Sequence, residues 1–183
     1  MTHLNVELKA RCADPGRVRR LLAEAGATGP GTDLQRDVYF VVPEGRLKLR
    51  RGTIERSLVF YRRADEAAVR RSEVTMARLE ALAPEAMAAL EDALGAALGV
   101  RTVVEKRREI RFVDNVKFHL DDVPGLGCFV EIEAIDLDGS RGEEHLRAQC
   151  DAWRERLGLA TGDLVSFSYA DVEPASSTPG RST

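Results

Sequence analysis

The sequence predicts an α+β fold built on a largely antiparallel sheet. Three observations carry that expectation. Short segments that alternate apolar with polar residues recur through the chain, helical patterns interrupt them at only three wide intervals, and tight-turn residues join neighbouring alternating segments. Such an order implies a meander and not a series of βαβ units.

The chain opens on NVELKAR, in which Asn5, Glu7, Lys9 and Arg11 share one face of a strand and Val6, Leu8 and Ala10 the other. That alternation predicts a half-buried strand over 5–12. Asp14 then offers an N-cap and Pro15 the first position of a helix running to Ala27, and GPGTD breaks it. Four short alternating runs follow: QRDVYFVV at 35–42, RLKLRRG at 46–52, SLVFYRR at 57–63 and VRRSEVTMA at 69–77. Pro43-Glu44-Gly45 and Gly52-Thr53 separate the earlier ones as turns. Pro84 opens a second helix of strong helix formers that ends near Gly99. Strands return at 102–113, 116–123 and 128–137, joined by Asp114-Asn115 and by Pro124-Gly125-Leu126-Gly127. The PGLG stretch lacks the following helix of a phosphate-binding loop and reads as a turn. A third helix spans Ser140 to Leu157, with Leu146, Trp153 and Leu157 on its apolar stripe, and Gly158 closes it. LVSFSYADV fits no single element, and residues 174–183 read as a disordered tail after one domain over 1–173.

Composition narrows the partners. A net charge of −3 lacks the basic excess of a nucleic-acid binder, and few aromatic residues accompany the basic runs RRG, YRR and KRR. No apolar stretch approaches a membrane span, and no leader-like segment opens the chain. Cys12, Cys128 and Cys150 have no metal-ligand or disulfide-framework spacing, which fits a reduced cytoplasm.

The charged faces of the strands are the unusual feature. Arg46, Lys48 and Arg50 share one face, and Arg62 shares a face with Phe60. Lys106 and Arg108 share theirs with Val104 and Ile110, His119 with Asp121, and Glu131 with Glu133. Like charges about 6 Å apart repel by about 3 kcal/mol at an effective dielectric of about 20, so such rows are a poor choice for stability alone. If the three helices cover the outside of a curled sheet, the charges line a wet channel. Lysines and arginines there match the oxygens of a phosphate chain. The carboxylates would repel phosphate, and their use is to hold a hard divalent cation such as Mg²⁺ or Mn²⁺. Metal-assisted chemistry on a phosphoryl group follows.

NVELKAR also resembles the E-x-E-x-K signature of the CYTH superfamily, named for class IV adenylyl cyclase and thiamine triphosphatase. The likeness continues in order through QRDVYF, RLKLR, FYRR, Lys106 and Arg108, HLDDVPGLGCFVEIE and the terminal SYADV. It implies an eight-stranded antiparallel β-barrel, a triphosphate tunnel, with helices packed outside, and a homodimer as a family expectation. Carried over by position, Glu7, Asp121, Glu131 and Glu133 are the implied metal ligands. Lys9, Lys48, Arg50, Arg62, Lys106 and Arg108 are the implied triphosphate ligands, and Arg71 with Glu73 line the tunnel. Lys9, Glu7 and Glu131 are the candidate catalytic residues, and His119 lines the tunnel beside them. One position departs from the signature: Asn5 replaces its first carboxylate and can meet a cation only through a neutral carbonyl.

The resemblance implies an enzyme that converts ATP to cyclic AMP and pyrophosphate. Its alternatives are a triphosphatase acting on thiamine triphosphate, inorganic triphosphate or a nucleoside triphosphate, and a non-catalytic polyphosphate or nucleotide binder.

Overall fold

The computed structural model describes residues 2–63 and 67–171, so the tail expected over 174–183 lies outside the described residues. The chain runs β1 (Thr2–Arg11), α1 (Pro15–Glu24), β2 (Thr28–Phe40), β3 (Arg46–Gly52), β4 (Arg56–Arg63), β5 (Arg70–Arg78), α2 (Pro84–Leu98), β6 (Val100–Val113), β7 (Val116–Val123), β8 (Gly127–Asp136) and α3 (Glu143–Leu157). The strands close into one barrel in the order β1-β5-β4-β3-β2-β6-β7-β8, every pair antiparallel. Closure pairs each strand with a neighbour on both sides over most of its length, and it gives the strands one face toward a lumen and one toward the outside.

Local signals place the elements. Asp14 Oδ1 accepts the Arg17 N–H at 2.8 Å, and Pro15 stands at the start of α1, as the sequence predicts. Asp114 takes a positive φ of 51° in the turn between β6 and β7, a backbone state that Asp tolerates. The expected break at GPGTD is instead the first part of β2. That stretch pairs with β6 alone until Gln35 meets β3, and the register shifts between Thr28 and Gly31. Pro30 therefore sits on a one-sided, bulged segment, where its missing N–H costs no ladder bond. Gly29 lies so close to β6 that a Cβ would stand 2.3 Å from the Ile110 carbonyl oxygen. The third helix starts at Glu143, three residues later than predicted.

Two apolar layers cover the outside of the barrel. Val6, Leu8 and Ala10 of β1, with Phe118 and Leu120 of β7 and Val130, Ile132 and Ala134 of β8, pack under α1 and α3 through Val18, Leu22, Leu146, Cys150 and Leu157. Trp153 meets Phe118 edge-on with ring centroids 4.7 Å apart, so the stripe read on the last helix is a packing face. Val38, Phe40 and Leu49 pack under Met87 of α2. Each fully buried leucine or phenylalanine contributes about 2–3 kcal/mol, and this apolar cover commits the alternate side chains of the same strands to the lumen. No helix among the described residues is long and apolar enough to cross a membrane.

Candidate active site: a charged lumen closed at one end

The lumen is a cavity of about 330 Å³, lined by Glu7 and Lys9 of β1, Lys48 and Arg50 of β3, Lys106 and Arg108 of β6, Lys117 and His119 of β7, and Glu131 and Glu133 of β8, among others. Lysines and arginines outnumber carboxylates among the lining residues, which favours an anionic guest.

Strand register builds the interior as a set of cross-strand pairs. Lys9 faces Glu131, Glu7 faces both Glu133 and Arg70, Arg108 faces Asp121, and Asp37 faces Arg50. Arg108 grips Asp121 with two bonds of 2.6 and 2.5 Å and reaches Glu131 at 3.0 Å. Lys9 Nζ lies 3.7 Å from Glu131 and 3.9 Å from the centre of the Tyr169 ring. His119 Nδ1 is 3.2 Å from Glu131 Oε2, while its buried Nε2 has no hydrogen-bond partner among the described residues. Burial, then Arg108 and Lys117, push the His119 pKa down to about 3 against the pull of Glu131, so the imidazole is neutral. The ionised Glu131 accepts from Nδ1–H, which leaves Nε2 as a hydrogen-bond acceptor.

Asp37 is the residue that the sequence reading missed. Fully enclosed, it accepts from Arg50 at 2.9 and 3.0 Å and from Lys106 at 2.7 Å, with Lys48 at 3.3 Å. Burial works to raise its pKa, but Arg50, Lys106 and Lys48 together hold it well below the usual carboxylate range. In turn, burial lowers Lys106 to about 7, with Arg108, Arg50 and Lys48 adding to the effect and Asp37 opposing it. Glu55 was missed as well. It lies between β3 and β4 and joins Arg50 at 2.8 Å to Lys117 at 2.5 Å. Alternation in QRDVYF puts Asp37 on one face with Gln35 and Tyr39, which is the only prior signal for it.

Two sequence expectations are corrected. Arg62 points outward, exposed and paired with Glu44 at 3.3 Å, and does not reach the lumen. Arg71 and Glu73 also lie outside, paired with each other at 2.8 Å, and their neighbours Arg70 and Ser72 face inward instead. The sequence predicts a curled sheet whose charged faces turn inward. In β4 and β5 the inner face carries Val59, Tyr61 and Val74, because this end of the lumen is filled by an apolar plug.

The plug is the segment after α3 that fits no single element in the sequence. It contains short 3-10 turns at Thr161–Asp163 and Tyr169–Asp171. Val165 N–H bonds to the Lys9 carbonyl at 2.9 Å, and Val165, Tyr169 and Ala170 pack with Tyr39, Tyr61 and Phe129. Tyr169 donates its hydroxyl to Asp121 at 2.9 Å, and Asp171 joins Arg46 and Arg101 from two strands, each at 2.9 Å. The opposite end of the lumen is bordered by Phe112, Ile135 and Leu137 together with Arg78 and Glu80.

The four implied metal ligands do not form one cluster. Among the described residues, no three His, Cys, Asp or Glu side chains are gathered to hold a metal ion. Asp121 is enclosed, its oxygens taken by Arg108 and Tyr169, and Glu131 is held by Lys9, Arg108 and His119. The chemistry of Glu7 and Glu133 does fit a hard cation. Burial, then the charges of Glu7 and Glu131, raise Glu133 to about 7 against Lys117, so it retains a proton that a divalent cation would displace. Asn5 donates a very short hydrogen bond to Glu133 and keeps a buried Oδ1 with no partner among the described residues, a neutral oxygen suited to the same cation.

Comparisons with known proteins agree with this construction. The CYTH domain family model matches residues 3–169. The solved PH1012 protein of Pyrococcus horikoshii is 28% identical with a TM-score of 0.73, the match covering 91% of this chain and 97% of that one. A candidate adenylate cyclase of Vibrio parahaemolyticus shares the fold at 22% identity and a TM-score of 0.67, over 91% of this chain and 95% of its own. So does HpAC1 of Hippeastrum, a candidate adenylyl cyclase that shows a dominant triphosphatase activity, at 15% identity and a TM-score of 0.51, with 90% of each chain covered. No curated protein sequence matches the chain. With nearly the whole barrel matched in order, the chain belongs to the CYTH domain family.

Proposed function

We propose that this protein is a metal-dependent enzyme acting on an organic triphosphate, with ATP cyclisation to 3′,5′-cyclic AMP and pyrophosphate as its reaction. CYTH proteins of the triphosphate tunnel type take triphosphates and depend on a metal ion. The observation that carries the reading is the convergence of Lys9, Lys48, Arg50, Lys106 and Arg108 with Glu7, Glu131 and Glu133 in one lumen closed at one end. The apolar border of Phe112, Ile135 and Leu137 at the other end supports a substrate that carries an organic group, because inorganic triphosphate has no use for it.

In this reaction the ribose 3′-hydroxyl gives up its proton to solvent as its oxygen bonds to the α-phosphorus, the bond from that phosphorus to the bridging oxygen breaks, and pyrophosphate leaves. Lys48, Arg50 and Lys106, preset by Asp37, take up the charge that grows on the pyrophosphate. Arg108 and Lys9, braced by Glu131, hold the phosphate chain along the lumen. The acceptor Nε2 of His119 receives the hydrogen bond of the attacking hydroxyl. A Mg²⁺ or Mn²⁺ ion at Glu7, Glu133 and the Asn5 carbonyl would lower the pKa of that hydroxyl and neutralise phosphate charge.

A second reading, hydrolysis of the triphosphate by water, is favoured by the fold shared with the Hippeastrum protein and its dominant triphosphatase activity. The same side chains serve it with a different nucleophile. Incubation with ATP, thiamine triphosphate and inorganic triphosphate in Mg²⁺ or Mn²⁺, followed by phosphorus NMR, separates the two: cyclic AMP with pyrophosphate marks the cyclase and orthophosphate the hydrolase. Tight triphosphate binding with no turnover in either metal would replace both readings with that of a sensor.

A further inference from the structure

The barrel brings together two cysteines that lie far apart in the chain. Cys12 directly follows β1 and Cys128 lies in β8, and the β1–β8 register, which pairs Arg11 with Phe129, sets Cys12 opposite Cys128. The Cys12 N–H donates to the Cys128 carbonyl at 2.9 Å, which makes them a hydrogen-bonded cross-strand pair. Both thiols are free and both side chains lie on the outer face, continuing the row of Ala10 and Val130 in the layer under α1 and α3. Facing residues of this kind have Cα atoms about 5.5 Å apart, inside the range that a disulfide spans. Their Cβ atoms stand about 4.5–5.5 Å apart, so closing the bond draws the strands together by about 1 Å. The third cysteine has no such neighbour. Cys150 is fully buried on α3, and its thiol is 3.2 Å from the Val6 carbonyl oxygen.

We propose that Cys12 and Cys128 form a dithiol modification site on the outside of the β1–β8 seam, closed to a disulfide by low-molecular-weight disulfides. Cys128 is half-buried and is the point of entry, whereas Cys12 is 7% exposed and acts second. The Cys128 thiolate attacks one sulfur of the small disulfide, forming a mixed disulfide and releasing one small thiolate. Cys12, losing its proton to solvent, then attacks the Cys128 sulfur and releases the second small thiol. Two protein thiols are oxidised and one small disulfide is reduced to two thiols. Burial, followed by the proximity of Cys128, raises the Cys12 pKa, which makes the second step the slower one. The finished bond pins the seam just beyond the Lys9–Glu131 pair and closes a long loop of chain, which restricts the unfolded state.

The test is incubation of the full chain with oxidised glutathione, alkylation of remaining thiols under denaturing conditions, and peptide mass spectrometry. The expected product is a Cys12–Cys128 linked peptide lighter by two hydrogens, with Cys150 alkylated, full reversal by dithiothreitol, and a raised thermal midpoint in the oxidised protein. In Cys12→Ser the second step is blocked, so glutathione should persist on Cys128 and the midpoint should not rise. Stable glutathione on Cys128 of the unsubstituted chain, a link involving Cys150, or two unmodified thiols after prolonged oxidation would each overturn the proposal.

Discussion

Asp37 and Arg50 face each other across β2 and β3 and share two hydrogen bonds of 2.9 and 3.0 Å, with the carboxylate shut off from solvent. The same carboxylate holds Lys48 and Lys106, so one negative charge orders three cations. Removing it in Asp37→Asn leaves those cations facing each other, at a cost of about 3–5 kcal/mol. A triphosphate anion would restore the missing charge. Thermal melts should show a lower midpoint for the variant and a larger upward shift with inorganic triphosphate than the unsubstituted protein gives. Equal shifts would mean that the phosphate does not meet this cluster.

Glu133 makes stability depend on pH. Its pKa is raised from 4.5 to about 7, so between those values the folded chain keeps a proton that the unfolded chain releases. Its contribution to stability is therefore full below the lower value and is lost as pH rises through the upper one. Lys106, lowered from 10.5 to about 7, acts in the opposite sense and above that window. Glu133→Gln should flatten the decline and be more stable than the unsubstituted chain at pH about 8, measured by urea unfolding. Titration of Mg²⁺ at pH about 6 should release close to one proton, and none at pH about 8. Identical urea profiles for the two proteins would remove Glu133 as the titrating group.

The loop between β3 and β4 hangs on Asp33. Its carboxylate accepts the Ile54 N–H at 2.8 Å, the Glu55 N–H at 3.0 Å, the Thr53 hydroxyl at 3.0 Å and the Gln35 amide at 2.8 Å. Gly52 fits beneath it, since a Cβ there would stand 2.5 Å from Asp33 Oδ2. This clamp directs Glu55 toward Arg50 and Lys117. Asp33→Ala should cost about 2–4 kcal/mol, given the worth of hydrogen bonds to a buried charge, and proteolysis should begin within residues 52–56. A protein that resists cleavage there would show that the loop is held by other contacts.

Arg62 and Lys48 test which charges face the substrate. Arg62 is exposed on the outer face of β4, so Arg62→Ala should change stability by less than about 0.5 kcal/mol and leave triphosphate affinity intact. Lys48 lines the lumen, and Lys48→Ala should weaken triphosphate binding about tenfold or more by calorimetry. Similar losses from both substitutions would contradict the placement of the two side chains.

Period-two alternation made β1, β3, β6, β7 and β8 legible in the sequence, and it grouped Glu7 with Lys9, Lys48 with Arg50, Lys106 with Arg108 and Glu131 with Glu133 on the faces that the barrel turns inward. It worked in β1, β3, β7 and β8 because their other face is apolar and meets a helix, whereas β6 turns exposed Glu105 and Arg107 outward and keeps Val104 and Ile110 inside with Lys106 and Arg108. The positions carried over by resemblance failed for Arg62, Arg71 and Glu73: Val59 and Tyr61 take the inner face of β4 against the plug, and Arg70 and Ser72 take the inner face of β5. GPGTD was misread because a bulged, one-sided strand tolerates the glycines and proline of a loop.

The sequence by itself determined which side chains share a strand face, because backbone geometry alternates side chains whatever surrounds them. Only the tertiary structure decided which face looks inward, that Asp37 gathers Lys48, Arg50 and Lys106, that Asp121 is consumed by Arg108 and Tyr169, and that Cys12 meets Cys128. These are contacts between strands that are distant along the chain, and they are set by barrel closure and ladder register, which no local pattern encodes.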